Sequence, residues 1–93
     1  MLFMVIETFE HADMRPTYRR LAAAGRGMPE GLRYVDSWVE AGMRRCFQLM
    51  ECADAALLQE WAFHWRDCGV TFEIVPVVPA ARTRELVTAS PAS

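Results

Sequence analysis

The middle of the chain carries the pattern that most limits its fold, a pair of strand-length runs separated by a short turn. The first run begins near Leu32, and the second spans residues 43–52. Between them, residues 40–42 (Glu-Ala-Gly) suit a three-residue hairpin loop, in which a type I turn is followed by Gly42 in the left-handed conformation. The sequence therefore predicts an antiparallel hairpin at this point.

The predicted turn also sets the register of the hairpin, and the register decides which residues share a face of the sheet. It pairs Val39 with Met43 and, further along, Tyr34 with Gln48. One face then carries four apolar residues suited to packing against helices, which are Val35, Val39, Phe47 and Leu49. The opposite face carries a mixed set, which comprises Tyr34, Asp36, Trp38, Arg44, Cys46, Gln48 and Met50.

Strand-like and helix-like segments flank the hairpin on both sides. Residues 2–9 are an almost entirely apolar run, typical of a central strand. Helical patterns begin after Asp13 and after Asp54, and a glycine ends each of them. The last strand spans residues 71–78, and its Pro76 indicates an edge position, because proline has no N–H to donate to a neighbouring strand.

The order β-α-β-β-α-β predicts the fold. Right-handed crossovers place the first and third strands side by side in the centre, with the second and fourth at the edges. The result is a ferredoxin-like α+β sandwich, in which a four-stranded antiparallel sheet carries both helices on one face. This domain is expected to span residues 1–80, and residues 81–93 are expected to form a partly flexible C-terminal tail with one helical turn.

The composition favours self-association. Apolar residues make up 53% of the 93 residues, more than a single small core readily buries. The uncovered face of the sheet would leave Tyr34 and Trp38 in water, and burying such a side chain is worth about 1.5–3 kcal/mol. We therefore expect a homodimer, formed sheet against sheet as a dimeric α/β barrel with an internal space.

Charge and cysteine content limit the partners and the cellular compartment that the sequence predicts. The net charge is −2 and every basic residue is arginine, so the chain has no basic surface typical of nucleic-acid binding. The opening apolar run is too short for a membrane span or a secretion signal. Three cysteines without a CxxC pair indicate reduced thiols, and with them a cytoplasmic protein.

Two stretches resemble a known family, namely PEGLRYVDSWVEAGMRRCFQLMECADAALLQEW and FEIVPVV. They are similar to a bacterial family of small proteins known only as a domain of unknown function, within the dimeric α/β-barrel superfamily. The similarity spans about residues 1–80 and implies the fold and the dimer, but no activity. The wider superfamily includes cofactor-free quinol oxygenases, lactone isomerases, haem-dependent enzymes and ligand-sensing regulatory domains, so the fold does not select a function.

The candidate site lies on the uncovered face of the sheet, where polar groups stand among apolar ones as in many ligand pockets. Its candidate residues are Tyr34, Asp36, Trp38, Arg44, Gln48 and Met50, together with Glu7 and His11. Either Asp36 acts there as a buried general base, or Asp36, Gln48 and Arg44 satisfy one another across the dimer interface and set its register. Glu7 faces either the barrel space or water at the strand end, and His11 lies in a loop at the rim. The spacing of the histidines and cysteines predicts no metal site, and neither histidine lies where it would bind haem, so no cofactor is expected.

Two classes of function therefore remain open from the sequence. The first is a homodimeric ligand-binding or interaction module that uses the uncovered sheet face and performs no catalysis. The second is a cofactor-free enzyme of the oxygenase or isomerase type, acting on a small aromatic or cyclic substrate, with Asp36 or His11 moving the proton.

Overall fold

A four-stranded antiparallel sheet forms the centre of the computed structural model, which describes residues 1–91. The strands are β1 (Leu2–Phe9), β2 (Arg33–Val39), β3 (Arg45–Glu51) and β4 (Val70–Val77). Their spatial order is β2-β3-β1-β4, so the predicted central and edge strands are confirmed, and Pro76 lies in an edge strand. Together with the helices, this order confirms the ferredoxin-like α+β fold.

The helices are α1 (Arg15–Ala24), α2 (Ala56–His64) and α3 (Ala80–Ala89), and a short 3₁₀ turn (Glu10–Ala12) precedes α1. Asp13 and Asp54 each accept a hydrogen bond from the backbone N–H two residues later, which supports the start of α1 and of α2. A ten-residue helix replaces the single turn predicted for the tail. Residues 92 and 93 of that tail lie outside the described residues.

The hairpin between β2 and β3 has a different turn from the predicted one. The Glu40 C=O accepts a hydrogen bond from the Met43 N–H at 2.8 Å, and Met43, instead of Gly42, has the left-handed φ of 57°. Val39 consequently pairs with Cys46 and not with Met43. The predicted register is therefore wrong, because the loop holds more residues than the three expected.

A β-bulge in β2 changes the facing of its side chains within the strand. Tyr34 pairs with Met50 and Asp36 pairs with Leu49, which leaves Val35 without a partner residue in β3. One extra residue reverses the alternation of side chains, so Tyr34 faces one side of the sheet while Asp36 faces the other. The predicted grouping of Tyr34, Asp36 and Gln48 on one face is wrong for this reason.

The first two helices cover one face of the sheet and bury a continuous core beneath it. Its members include Phe3, Val5, Phe9, Cys46, Met50 and Val70 from the sheet, Leu58 and Trp61 from α2, and Trp65 just after α2. The predicted placement of Phe47 and Leu49 against the helices is wrong, because they pair with Ile6 and Met4 on the opposite face. That face is called the open face below, and its apolar residues are Met4, Ile6, Trp38, Phe47, Leu49 and Val75.

The open face and α3 are among the regions that keep apolar side chains in contact with water. On the open face, Trp38 is 50% exposed. On α3, all ten residues are exposed, and Leu86 has 75% of its surface in water. Among residues 1–91, no helix has both the length and the apolar character needed to cross a membrane.

Candidate ligand-binding cavity

A cavity of about 230 Å³ lies between the sheet and the two helices that cover it. Its walls come from β1, β2, β3, β4, α1, α2 and the loop after α1. The lining residues are Glu7, Thr17, Tyr18, Leu21, Arg26, Ser37, Cys46, Gln48, Trp61, Trp65 and Phe72. The cavity thus combines an apolar, largely aromatic wall with a small number of polar groups.

Glu7 is the acidic group of this cavity. Side chains of β1 alternate, so Glu7 shares the helix-covered face with Val5 and Phe9 and is only 5% exposed. Burial raises the pKa of its carboxyl from 4.5 to about 7, against the opposing effects of the Arg26 charge and a hydrogen bond from Gln48. The sequence left Glu7 between the barrel space and water at the strand end, whereas the structure places it beneath the helices.

Gln48 connects the acidic group to the basic one. Its side chain is 7% exposed, and its Nε2 donates a hydrogen bond to Glu7 Oε1. Its Oε1 lies 3.5 Å from Arg26 Nη1, which donates to it. The three side chains form one polar row through the cavity, so the buried amide of Gln48 has a partner for its donor and for its acceptor.

Arg26 is the candidate site residue that the sequence reasoning missed. It lies in the loop after α1, with Gly25 and Gly27 on either side at φ values of 72° and 66°. Its backbone C=O accepts hydrogen bonds from the indole N–H groups of Trp61 and Trp65, at 2.9 Å and 2.8 Å. Both tryptophans belong to the buried core, and a buried indole N–H needs an acceptor. Two tryptophans four residues apart indicate that acceptors lie beside them, but not which loop of the chain provides those acceptors.

The guanidinium of Arg26 is held against the ring of Tyr34. Its Cζ atom lies 3.7 Å from the centre of the Tyr34 ring, a distance typical of a stacked cation–π contact. The Tyr34 hydroxyl in turn lies 2.5 Å from Ser37 Oγ, which fixes the ring. Tyr34 therefore contributes to the site as a support for Arg26 on the helix-covered side of β2.

Cys46 lines the same cavity as a neutral thiol. Burial raises its pKa from 9.0 to about 11, and the nearby charge of Glu7 adds to this effect while Arg26 opposes it. Because the thiolate is the nucleophilic form of cysteine, Cys46 is poorly suited to covalent chemistry near neutral pH.

The other predicted site residues do not come together. Met50 is completely buried in the core and does not line the cavity, whereas Asp36 and Trp38 face the open side. Arg44 is exposed in the hairpin turn, and His11 is exposed in the 3₁₀ turn. Of the residues predicted for the site, only Glu7 and Gln48 line the cavity, with Tyr34 directly behind Arg26.

No group of three histidine, cysteine, aspartate or glutamate side chains is arranged to hold a metal ion within residues 1–91.

Fold and cavity together define a small ferredoxin-like α+β domain with a polar row buried between sheet and helices. The chain belongs to the family described as domain of unknown function DUF3303, whose sequence profile matches residues 1–91. No curated protein and no solved structure matches it.

Proposed function

We propose that this protein binds a small organic molecule in the cavity between its sheet and its helices. The observation that carries the proposal is the buried Glu7 carboxyl beside open space. Removing a carboxyl from water costs free energy, and an apolar side chain at that position would close the core without this cost. A ligand that forms hydrogen bonds with Glu7 would explain why a carboxyl occupies this buried position.

The composition of the walls supports the same proposal. Ligand sites in proteins are mostly apolar and carry a few placed polar groups that orient the molecule. Trp61, Trp65 and Phe72 supply the apolar part, whereas Glu7 and Arg26 supply polar groups at two points. A volume of 230 Å³ equals about eight water molecules, so the ligand is a small metabolite and not a polymer or a large cofactor.

The three tryptophans provide a built-in test of where a ligand binds. Trp61 and Trp65 line the cavity, whereas Trp38 lies on the open face. We expect a compound found by screening the full chain for thermal stabilisation to shift the indole N–H resonances of Trp61 and Trp65 in ¹H–¹⁵N spectra. The resonance of Trp38 is the internal control and stays in place. Binding that moves only Trp38 would contradict the cavity site and favour the open face.

A second copy of the chain is the proposed cover for the open face. Two observations support this part of the proposal: the apolar row that includes Trp38, and the exposure of all of α3. An isolated ten-residue helix is marginal in water, so α3 is expected to gain stability by packing against a partner. Light scattering after size exclusion is expected to give twice the mass of one chain, and the mass of a single chain at all concentrations would contradict the dimer.

Proton-transfer catalysis is a second candidate function, and one observation favours it. A general acid or base works best when its pKa lies near the working pH, and the pKa of Glu7 is about 7. In this alternative Glu7 takes a proton from a small aromatic or cyclic substrate in the cavity, a role the sequence reasoning gave to Asp36 or His11. Glu7→Gln separates the two functions, because a binding protein keeps its ligand in this variant whereas an enzyme loses its turnover.

The cysteines support a reducing compartment as the proposed location. Cys46, Cys52 and Cys68 are all buried as free thiols. Protein thiols remain reduced in the cytoplasm, where glutathione and thioredoxin maintain them. A cytoplasmic location is therefore part of the proposal, and fractionation of cells that produce the protein tests it.

A further inference from the structure

Arg26 has few partners for a group with five N–H donors. In the part of the chain that the structure describes, its one side-chain hydrogen bond goes to Gln48 Oε1, at 3.5 Å. The ion pairs within residues 1–91 involve other arginines, namely Arg15, Arg20, Arg33 and Arg45. Arg26 therefore presents donors in the cavity that a ligand rich in acceptor oxygens can fill.

The position of Arg26 is fixed before any ligand binds. Its side chain stacks on Tyr34, and its backbone carbonyl accepts hydrogen bonds from the indoles of Trp61 in α2 and of Trp65 just after α2. Gly27 allows the close approach of this loop to α2, because a Cβ atom there would lie 2.5 Å from His64 Nε2. An arginine held in this way loses little conformational freedom when it binds an anion.

The wall around Arg26 selects the shape of the rest of the ligand. Trp61 and Phe72 meet edge to face, with ring centres 5.4 Å apart, and Trp65 extends the surface with its ring centre 6.4 Å from that of Trp61. Aromatic rings in such arrangements pack well against another planar ring. A flat apolar body is therefore a better fit than a branched aliphatic one.

From these contacts we infer that the ligand is a planar aromatic molecule with one carboxylate, and that Arg26 binds this carboxylate. The inference rests on the proposed function, since it names the ligand class of the same cavity. A planar carboxylate matches the fork of a guanidinium with two parallel hydrogen bonds. A phosphate ester carries more negative charge, and the carboxyl of Glu7 in the same row disfavours it.

Glu7 makes the binding of such a ligand dependent on pH. The groups that act on Glu7 are Arg26 from the loop and Gln48 from β3, with Cys46, Tyr18 and Tyr34 as the other titratable neighbours in its surroundings. When Glu7 is ionised, it repels the carboxylate; when it is protonated, it no longer does so. Ligand binding therefore takes up a proton.

The sign and the size of this dependence follow from linkage. The pKa of Glu7 is about 7 without ligand, so the group is mostly protonated at about pH 6 and mostly ionised at about pH 8. Affinity for the carboxylate is therefore expected to fall roughly tenfold between these two conditions.

The test compares two probes of equal shape, 2-naphthoate and the neutral 2-naphthamide, by isothermal titration calorimetry on the full chain. We expect 2-naphthoate to bind more tightly, with an affinity that falls as the pH rises. In Arg26→Gln the preference for the carboxylate is expected to disappear, whereas Arg19→Gln, the matched removal of an exposed arginine on α1, keeps it. In Glu7→Gln the pH dependence is expected to disappear while the preference remains.

Several results would overturn the inference, and they differ from a failure of the proposed function. Equal binding of the two probes, or a preference that survives Arg26→Gln, would refute the carboxylate class while the cavity remains a binding site. Tighter binding of 1-naphthyl phosphate than of 2-naphthoate would refute it in favour of a phosphate ester. If the folded protein binds none of these aromatic probes but other compounds still shift Trp61 and Trp65, the ligand class is wrong. If nothing shifts these two resonances, the cavity proposal itself fails.

Discussion

The two faces of the sheet differ in which kind of residue is buried and which is exposed. On the face that the helices cover, Glu7 and Gln48 are polar groups buried among apolar ones. On the open face lie Trp38 and its apolar neighbours Phe47 and Leu49. Within residues 1–91, no helix covers them. Buried polar groups beside a cavity are typical of a ligand site, whereas an exposed apolar row is typical of a surface that another protein covers.

Polarity alone therefore does not reveal which side of a small sheet carries a buried polar row. The polar residues of the hairpin favoured the open face as the site, yet the buried polar row is on the other face. Desolvation gives that row its chemistry, because it moves the pKa of Glu7 into the neutral range. Four substitutions, ordered by expected effect, break or sharpen this contrast.

The largest effect is expected from Met50→Ala compared with Leu49→Ala. Met50 is fully buried in the core, so its truncation leaves a cavity and lowers the free energy of unfolding by about 2–5 kcal/mol. Leu49 is only half-buried on the open face, and its loss costs clearly less when the protein is dilute enough to be monomeric. Urea denaturation of both variants measures the difference. Equal losses in the free energy of unfolding would mean that the two faces of the sheet are equally buried within the monomer.

The next effect concerns Glu7→Gln and depends on pH. The folded-state pKa of Glu7 is raised above 4.5 to about 7, so the folded protein binds more protons than the unfolded chain between these values. The contribution of Glu7 to the free energy of unfolding is therefore largest below about pH 4.5 and declines as the pH rises to about 7, by about 3 kcal/mol as an order of magnitude.

The glutamine variant removes this decline, so it is expected to be more stable than the parent at about pH 8 and similar at about pH 4. Glu73→Gln is the matched control, because Glu73 is exposed and on the open face. Urea denaturation across the pH range makes the measurement. A stability difference between the parent and Glu7→Gln that stays the same between these pH values would contradict the burial of Glu7.

A smaller effect is expected for Trp38→Ala, and it appears in self-association. Each aromatic side chain buried in an interface contributes about 1.5–3 kcal/mol, so the dissociation constant of the proposed dimer rises about tenfold or more. Phe63→Ala is the control, since Phe63 is an exposed aromatic residue on α2, away from the open face. Sedimentation equilibrium of the two variants gives the comparison, and an unchanged dimer in Trp38→Ala would remove the open face from the interface.

The smallest effect is expected for Asp36→Ala. Asp36 is exposed on the open face and accepts a hydrogen bond from the backbone N–H of Ser37. Its loss is expected to change the free energy of unfolding by about 0.5 kcal/mol or less and to leave ligand binding in the cavity unchanged. Thermal shift measurements with a cavity ligand check both points. Lost ligand binding in Asp36→Ala would return the site to the open face.

The sequence was sufficient for the four strands, the first two helices and their order, but not for the length of α3. Apolar runs of strand length, glycines after the helical patterns and Pro76 in the last strand are local signals, and they placed the strands and the edge correctly. Register was not predictable in the same way. It depends on Met43 taking a left-handed conformation that glycine usually takes, and on the bulge at Val35, which no local residue preference marks.

The candidate site was predictable only in part. Glu7 and Gln48 were recognised as polar residues of central strands. The side of the sheet on which they lie was not predicted, because both faces of β1 and β3 carry large apolar residues. Arg26 was missed because it lies in a loop distant in sequence from the strands, and only the fold brings it to Gln48. A pairing of this kind depends on tertiary structure, so no spacing in the sequence encodes it.

The most direct test of the account is the ionisation of Glu7 itself. A ¹³C-detected NMR titration of the side-chain carboxyls, assigned with Glu7→Gln, follows this group separately from the other carboxyls. The pKa of Glu7 is expected to be about 7, well above the ordinary value of 4.5. A midpoint near 4.5 would show that desolvation does not dominate the ionisation of Glu7, and it would contradict the raised pKa on which the chemistry of the buried polar row rests.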